Sequence, residues 1–371
     1  MAYTTIDDPS QYFQTDLHTG DGSGSTETFD GNSNLQPDFL WYKSRSVAGD
    51  HGWVDTSRSK PSSNSSFFIL RSNSTGGDVT VNSGSDFTAM NSDGYTYGSV
   101  HYLDLATNNS QNCVWGWKAN GGTTTSTSAS GSTSDDTDII ASIRQTNTTA
   151  GFSIITYTGD STSGKKVTHG LGATPEFIII RNRDNSSEPW AVFTTPTGIK
   201  ALALNTTAAQ ATDSGYWSNT NPDSTHFTVG SHGSTGAAAA FVAYAFTGIQ
   251  GYSKFGSYEG NNNADGPFVY TGFKPAWTMI KSIDDTYNWV IQDRERFGGI
   301  NSGATDQNLA ANSTSASPSS ASFSGNEIDY LSNGFKIRSN AGNTNAAQTY
   351  IYMAFAHHPF VSSKGVPVTA G

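Results

Sequence analysis

The sequence predicts an all-β fold of three tandem β-sandwich repeats, jelly-roll-like and about 100 residues each. Three observations predict it. Thr, Val, Ile, Tyr, Phe and Trp recur in short runs between clusters of Gly, Asn and Asp, while straight-chain helix formers are scarce. Turn formers abound, with 39 glycines in the chain, and only 14% of residues are charged, a mix that suits many short strands joined by tight turns. One pattern also returns three times in the same order, and internal repetition of that kind decides the architecture.

The first copy reads Leu35-Gln36-Pro37-Asp38-Phe39-Leu40-Trp41-Tyr42-Lys43, then Trp53-Val54-Asp55. The second reads Leu171-Gly172-Ala173-Thr174-Pro175-Glu176-Phe177-Ile178-Ile179-Ile180-Arg181, then Trp190-Ala191-Val192. The third reads Thr271-Gly272-Phe273-Lys274-Pro275-Ala276-Trp277-Thr278-Met279-Ile280-Lys281, then Trp289-Val290-Ile291. Pro37, Pro175 and Pro275 take the first position of an apolar run, where a missing N–H is tolerated because pairing has not begun. Gly172 and Gly272 supply a positive-φ turn into that run. Phe39 to Tyr42 and Phe177 to Ile180 are apolar without alternation, which predicts strands covered on both faces. Trp53, Trp190 and Trp289 align as equivalents, and as core anchors rather than sugar-stacking platforms.

The strand that opens each copy runs from Gly151 to Gly159 and from Gly251 to Gly260, with His18 in the place of Tyr157 and Tyr258. Each copy closes on two aromatic runs: Gly94-Tyr95-Thr96 to Val114-Trp115-Gly116-Trp117, His226-Phe227-Thr228 to Val242-Ala243-Tyr244-Ala245-Phe246, and Gly334-Phe335-Lys336 to Ile351-Tyr352-Met353-Ala354-Phe355. These landmarks divide the chain into a repeat at 1–120, a Ser/Thr/Gly-rich linker at 121–150, a repeat at 151–250, and a third repeat with a C-terminal tail at 251–371. Asn120 to Asp138 holds no apolar residue larger than Ala and reads as an exposed linker or long loop, with Ile139 to Gln145 as a short strand or helical turn. Phe246 to Gly251 leaves no slack between the second and third copies, which fixes their mutual orientation.

Twenty Lys+Arg against 31 Asp+Glu give a net charge of −11, and no row of cations is available to replace phosphate counterions, so nucleic acid is not an expected partner. No apolar run approaches the roughly 20 residues that cross a bilayer, and Met1 to Asp8 lacks signal-peptide character. The expectation is a protein made in a cytoplasm, with no membrane insertion. A single cysteine, Cys113, forms no internal disulfide and reads as a buried structural thiol. The histidines His18, His51, His101, His169, His226, His232, His357 and His358 show no zinc-ligand spacing, and His357-His358 reads as a strand-end turn. Asp135-Asp136-Thr137-Asp138 lacks the glycine and distal glutamate of a calcium loop and reads as solvated linker, while Asp284-Asp285 reads as a polar turn. Glu176, Glu188, Glu259, Glu295 and Glu327 are not shared among the copies, which disfavours a repeated two-carboxylate site. No nucleophile elbow or phosphate loop occurs. No catalytic, cofactor-binding or metal-binding residue is therefore singled out, no cofactor is expected, and ligand-contacting residues stay unassigned.

The N-terminal Met1-Ala2-Tyr3-Thr4-Thr5-Ile6-Asp7-Asp8-Pro9, Leu35 to Lys43, Ala150 to Gly159, Gly251 to Gly256, Asp265-Gly266-Pro267-Phe268-Val269-Tyr270-Thr271-Gly272-Phe273 and Leu331 to Lys336 carry a family resemblance. With these motifs the chain resembles virion structural proteins common in marine bacteriophages of the cyanophage and pelagiphage type, which carry a repeated domain of unknown function. The resemblance covers nearly the whole chain and is most specific in the third-copy stretch. It implies a virion protein assembled in the host cytoplasm, with no catalytic residues to carry over. The expected function is non-enzymatic, namely head decoration or cementing, with the major capsid protein or tail components as partners. The alternative is a tail-fibre or receptor-binding adhesin whose exposed Trp and Tyr stack on host-surface glycans, and the third reading is a polysaccharide depolymerase.

Overall fold

The computed structural model describes residues 3–58, 60, 65–99, 102–130, 138–184, 187–297, 308–317 and 325–368. The fold is all-β, with helices of only three or four residues among the described residues. The first unit contributes β1 (Phe13–Thr19), β2 (Ser25–Glu27), β3 (Phe39–Ser44), β4 (Gly52–Asp55), β5 (Phe87–Met90), β6 (Tyr95–Tyr97) and β7 (Gln111–Trp117). They form two antiparallel sheets, β1-β7-β3-β4 and β2-β6-β5. The second comprises β8 (Thr125–Thr127), β9 (Ser142–Asn147), β10 (Phe152–Thr158), β11 (Lys165–Thr168), β12 (Phe177–Asn182), β13 (Ala191–Thr194), β14 (Gly198–Ala203), β15 (His226–Val229) and β16 (Ala240–Phe246). Its sheets are β14-β13-β12-β16-β10-β9-β8 and β11-β15. The third comprises β17 (Ser253–Glu259), β18 (Phe268–Tyr270), β19 (Phe273–Ser282), β20 (Val290–Asp293), β21 (Leu309–Ala310), β22 (Ile328–Leu331), β23 (Gly334–Ile337) and β24 (Thr349–Pro359), ordered β17-β24-β19-β20-β21 and β18-β23-β22.

The larger sheets share one order, and from the closing aromatic pair onward their registers match residue for residue. Phe39 pairs with Trp117, Phe177 with Phe246 and Trp277 with Phe355. His18 does fall where Tyr157 and Tyr258 fall, each five residues after the partner of that closing aromatic. The continuous apolar runs have a simple cause: each larger sheet lies between two cores. Leu40 and Tyr42 point to a local core under the small sheet of their own unit, as do Ile178, Ile180 and Ile280. Phe39 and Trp41 point the other way, with Phe177, Ile179, Trp277 and Met279, into one aromatic core shared by all three units. Alternation is invisible because both faces are dry.

That central core is held by rings packed edge to face and offset, the geometry that the ring quadrupole favours. Trp53 meets Trp190 at 4.8 Å and Tyr244 at 5.0 Å, and Trp41 meets Trp277 at 6.1 Å. Trp117 meets Trp277 at 5.7 Å, and Phe246 meets Phe355 at 6.0 Å.

The register corrects one sequence alignment. Trp41 pairs with Trp53, but the matching pairs are Ile179 with Val192 and Met279 with Ile291. Trp190 and Trp289 therefore correspond to His51, two residues before Trp53. The hydrogen bonds agree: the backbone N–H groups of His51, Trp190 and Trp289 donate to the side chains of Asn73, Asn205 and Asn312 respectively. Each ring then donates to a carbonyl of another unit. Trp190 Nε1 reaches Arg71 O and Ser74 O of the first unit, Trp289 Nε1 reaches Ala203 O of the second at 3.0 Å, and His51 Nε2 reaches Ala310 O of the third at 2.9 Å. The three contacts run in one direction and close a ring, a heterologous interface repeated until it meets itself.

A second set of contacts follows the same ring. Arg58 and Arg296 form buried ion pairs with Asp55 and Asp293, at 2.6 and 2.5 Å. Asp55 also accepts from the Tyr244 hydroxyl of the second unit at 2.7 Å, and Asp293 from the Trp115 indole of the first at 2.9 Å. In the second unit the pair is Thr194 and Thr197, whose hydroxyls bond each other at 3.1 Å. The residue equivalent to Tyr244 and Trp115 is Met353, which has no hydrogen to donate, so a carboxylate there would lack that partner.

Two further expectations are refined. Pro37 and Pro175 do precede their strands, but Pro275 lies inside β19, where the register with β24 shifts on either side of it. A bulge is the interior strand setting that tolerates a residue without an N–H. Residues 120–128 are largely exposed as expected, yet β8 and β9 extend the second sheet instead of forming a free linker. Gln145 on β9 ties them to the first unit, donating to Thr56 Oγ1 and Ser57 Oγ and accepting from Gly122 N.

Candidate functional site

The side chains weighed for chemistry are spread through the molecule. Cys113 is buried, donates to Lys43 O, and has its thiol pushed up to about 12 by burial. Val242 and Ile351 occupy the equivalent positions, which fits a packing role. His18 sits beside Asp16 and Tyr95, the nearest approach to an acid–base triad. Its Nδ1 lies 3.2 Å from Asp16 and its Nε2 lies 3.2 Å from the Asn112 amide, so both ring nitrogens are engaged within the fold. His101, Asp135, Asp136 and Asn185 lie outside the described residues. Asp138 forms a buried ion pair with Lys165, and Asp284 caps Thr349 N. Glu188 faces His232 at 3.7 Å, and Glu259 accepts from Thr349.

Surface clefts do occur, at equivalent places where the last strand of one unit meets the first strand of the next. The residue after the repeated proline governs each. In the first unit it is Asp38, whose carboxylate accepts from the backbone of Ala119, Gly121 and Gly122 and from Thr56 Oγ1, all within 2.8–2.9 Å. Burial nonetheless pushes its carboxyl up, against the pull of those donors. That seam is filled by the chain leading to β8. In the second unit the residue is Glu176, which accepts from Gly248 N at 3.0 Å and borders a cleft of about 330 Å³ with Tyr3, Gln250, Lys254 and Tyr270.

In the third unit it is Ala276, and a cleft of about 340 Å³ opens between β1 and the end of β24, lined by Asp8, Asp30, Glu295, His357 and His358 among others. His357 and His358 belong to strand β24, which corrects the expected turn. Burial, and then the neighbouring His358, lowers His357 to about 3, while burial and Lys274 lower His358. Burial raises the Glu295 carboxyl, helped by Asp293 and Asp30. The result is a cleft of neutral imidazoles and acidic acceptors suited to a polar, hydrogen-bonding ligand. Among the described residues no group of three or more His, Cys, Asp or Glu side chains is placed to hold a metal ion. These clefts are not legible in the sequence, because each is assembled from residues of more than one unit.

Comparison with known proteins adds one match. Residues 8–359 match the family model described as Domain of unknown function (DUF7483). No curated protein and no solved structure matches the chain. No helix among the described residues is long and apolar enough to cross a membrane.

Proposed function

We propose, for a chain that belongs to the DUF7483 family of unknown function, a non-enzymatic structural role on the surface of a bacteriophage particle, decorating or cementing the head. The observation that carries this reading is the closed ring of three like sheets around one aromatic core. Such a body presents three related faces about a pseudo-threefold axis and suits a seat of local threefold symmetry on a capsid lattice, with the major capsid protein as partner. The sequence resemblance to marine phage virion proteins supports the same reading. So does the allocation of the aromatic residues: Trp41, Trp53, Trp115, Trp117, Trp190, Trp277 and Trp289 are all at most 2% exposed and serve packing.

Quantitative mass spectrometry of purified particles tests the location. Hundreds of copies per particle are expected; tens of copies would move the protein to the tail, and none would overturn a virion role. The non-enzymatic part has its own test in the cleft that contains Glu295. Reducing-sugar release from host polysaccharide should stay at background, and release that Glu295→Gln abolishes would make the chain a depolymerase.

A further inference from the structure

The small sheets are equivalent in the three units, but their outward faces are not. Gly334 pairs with Tyr270, and His226 pairs with Thr168 at the same point of the second unit. In the first unit, Gly94 follows the same alignment and sets Thr26 and Thr28 at the outward positions. The outward pair is thus Thr26 and Thr28, Lys166 and Thr168, and finally Phe268 and Tyr270. The fold needs no aromatic residue there, since two units do without one. Yet Phe268 and Tyr270 are 45% and 49% exposed, side by side, and offer apolar surface that an occupant would cover.

The local geometry makes the two rings a platform. They stand two residues apart on one face of edge strand β18, about 6.6 Å along the strand. Phe268 leans over Gly334, where a Cβ would come within 2.9 Å of its Cζ. Tyr270 is held from below: the Tyr3 hydroxyl lies 3.3 Å from its own, and Lys254 Nζ donates to Tyr270 O at 2.8 Å while lying 5.2 Å from the ring centroid. Tyr270 is also one of the residues that line the 330 Å³ cleft at Glu176, so the platform adjoins a polar recess.

We propose that Phe268 and Tyr270, with the adjoining cleft, form a binding site for a neutral hexose oligosaccharide. A pyranose presents a C–H face that stacks on an aromatic ring and a rim of hydroxyls that both donate and accept. The cleft has both kinds of partner: Gln250 and the Lys254 ammonium donate, and Glu176 and the Gln250 carbonyl accept. Its volume sits at the small end of the about 300–1,000 Å³ typical of small-ligand sites. A protein partner fits less well. The other exposed large apolar residues among the described ones are Val47, Tyr102, Ile143 and Val366, so two rings make a patch far below the roughly 1,000 Å² of a stable protein interface. The site stands independently of the capsid reading.

The test is saturation-transfer NMR on the full chain with hexaoses of glucose, mannose and galactose in several linkages, at millimolar concentration. At least one should bind, and Phe268→Lys with Tyr270→Thr, the pair found in the second unit, should weaken it about ten-fold or more. Because the same architecture already accommodates that pair, the melting temperature should hold. Tyr102→Ala, at an exposed ring in the first unit, should leave binding unchanged. Absence of transfer from every hexaose, or equal affinity in the double variant, overturns the proposal. Self-association that the double variant abolishes, with no saccharide transfer, would assign the rings to a contact between copies and overturn it as well.

Discussion

At residue scale, position 51 shows how one unit departs from the repeat without breaking it. Trp41 Nε1 donates to His51 Nδ1 at 2.8 Å, which leaves the proton on Nε2 to reach Ala310 O. Burial, and then the charge of Lys43, drives the imidazole well below its ordinary pKa, so it stays neutral and keeps that tautomer. The smaller ring is balanced by the larger Trp41, where the other units carry Ile179 and Met279. His51→Trp alone should overpack the core and cost about 1–3 kcal/mol, whereas adding Trp41→Ile, the second unit's pairing, should recover most of it; thermal unfolding of the two variants checks this. Sequence alignment took Trp53 as the equivalent because identity outweighs geometry in a string, and a histidine standing in for an indole becomes visible only through the ladder register and the conserved Asn contact. His169 yields a pH prediction. Its Nδ1 accepts from Leu171 N, and burial lowers it from 6.5 to about 4, against the smaller opposing pull of the Asp223 carbonyl. The unfolded chain therefore binds more protons in that window, so the stability this group confers is complete above pH 6.5 and is lost as pH falls toward 4. The melting temperature should drop across that range, and less steeply in His169→Gln.

At element scale, the strands were legible and their surroundings were not. Continuous apolar runs announced that β3 and β12 are covered twice, but not that one cover is the unit's own small sheet and the other is the rest of the molecule. Neither composition nor spacing distinguishes two dry faces. The linker was misjudged in part for the opposite reason: Ser and Thr on β8 offer no apolar face, and the strand exists because β9 presents an edge to pair with. Asp38 holds the approach to those strands by gathering three backbone N–H groups, so Asp38→Ala should free that approach at a cost of about 1.5–3 kcal/mol, the worth of a hydrogen bond to a charged group. Limited proteolysis mapped by mass spectrometry should then find new cleavage between residues 120 and 130, with the rest of the chain protected. Unchanged cleavage would mean that β8 and β9 hold the segment without that carboxylate.

At the scale of the whole molecule, the shared core decides whether the three units are domains. A domain buries its own core and can in principle fold alone. Here the second unit would expose Phe152, Ile154, Phe177, Ile179, Trp190, Val192, Tyr244 and Phe246 if cut away, because their covers are Trp53, Phe39, Phe255 and Phe355 of the other two. It would also leave the buried Arg181 without the carbonyls of Thr75 and Gly76, which it meets across the seam, and desolvation already lowers that guanidinium to about 10. Each apolar side chain returned to water forfeits about 1.5–3 kcal/mol, so the eight together forfeit about 12–24 kcal/mol, which matches or outweighs the roughly 5–15 kcal/mol by which a whole domain is ordinarily stable. Residues 120–250 expressed alone should therefore show no cooperative melt by circular dichroism and should bind a hydrophobic dye, while the full chain unfolds in one transition. A well-folded fragment, or three separate transitions in the intact protein, would show that the local cores under the small sheets suffice. The ring of seams would then be an assembly of finished domains, and its pseudo-threefold shape could flex instead of acting as one rigid body.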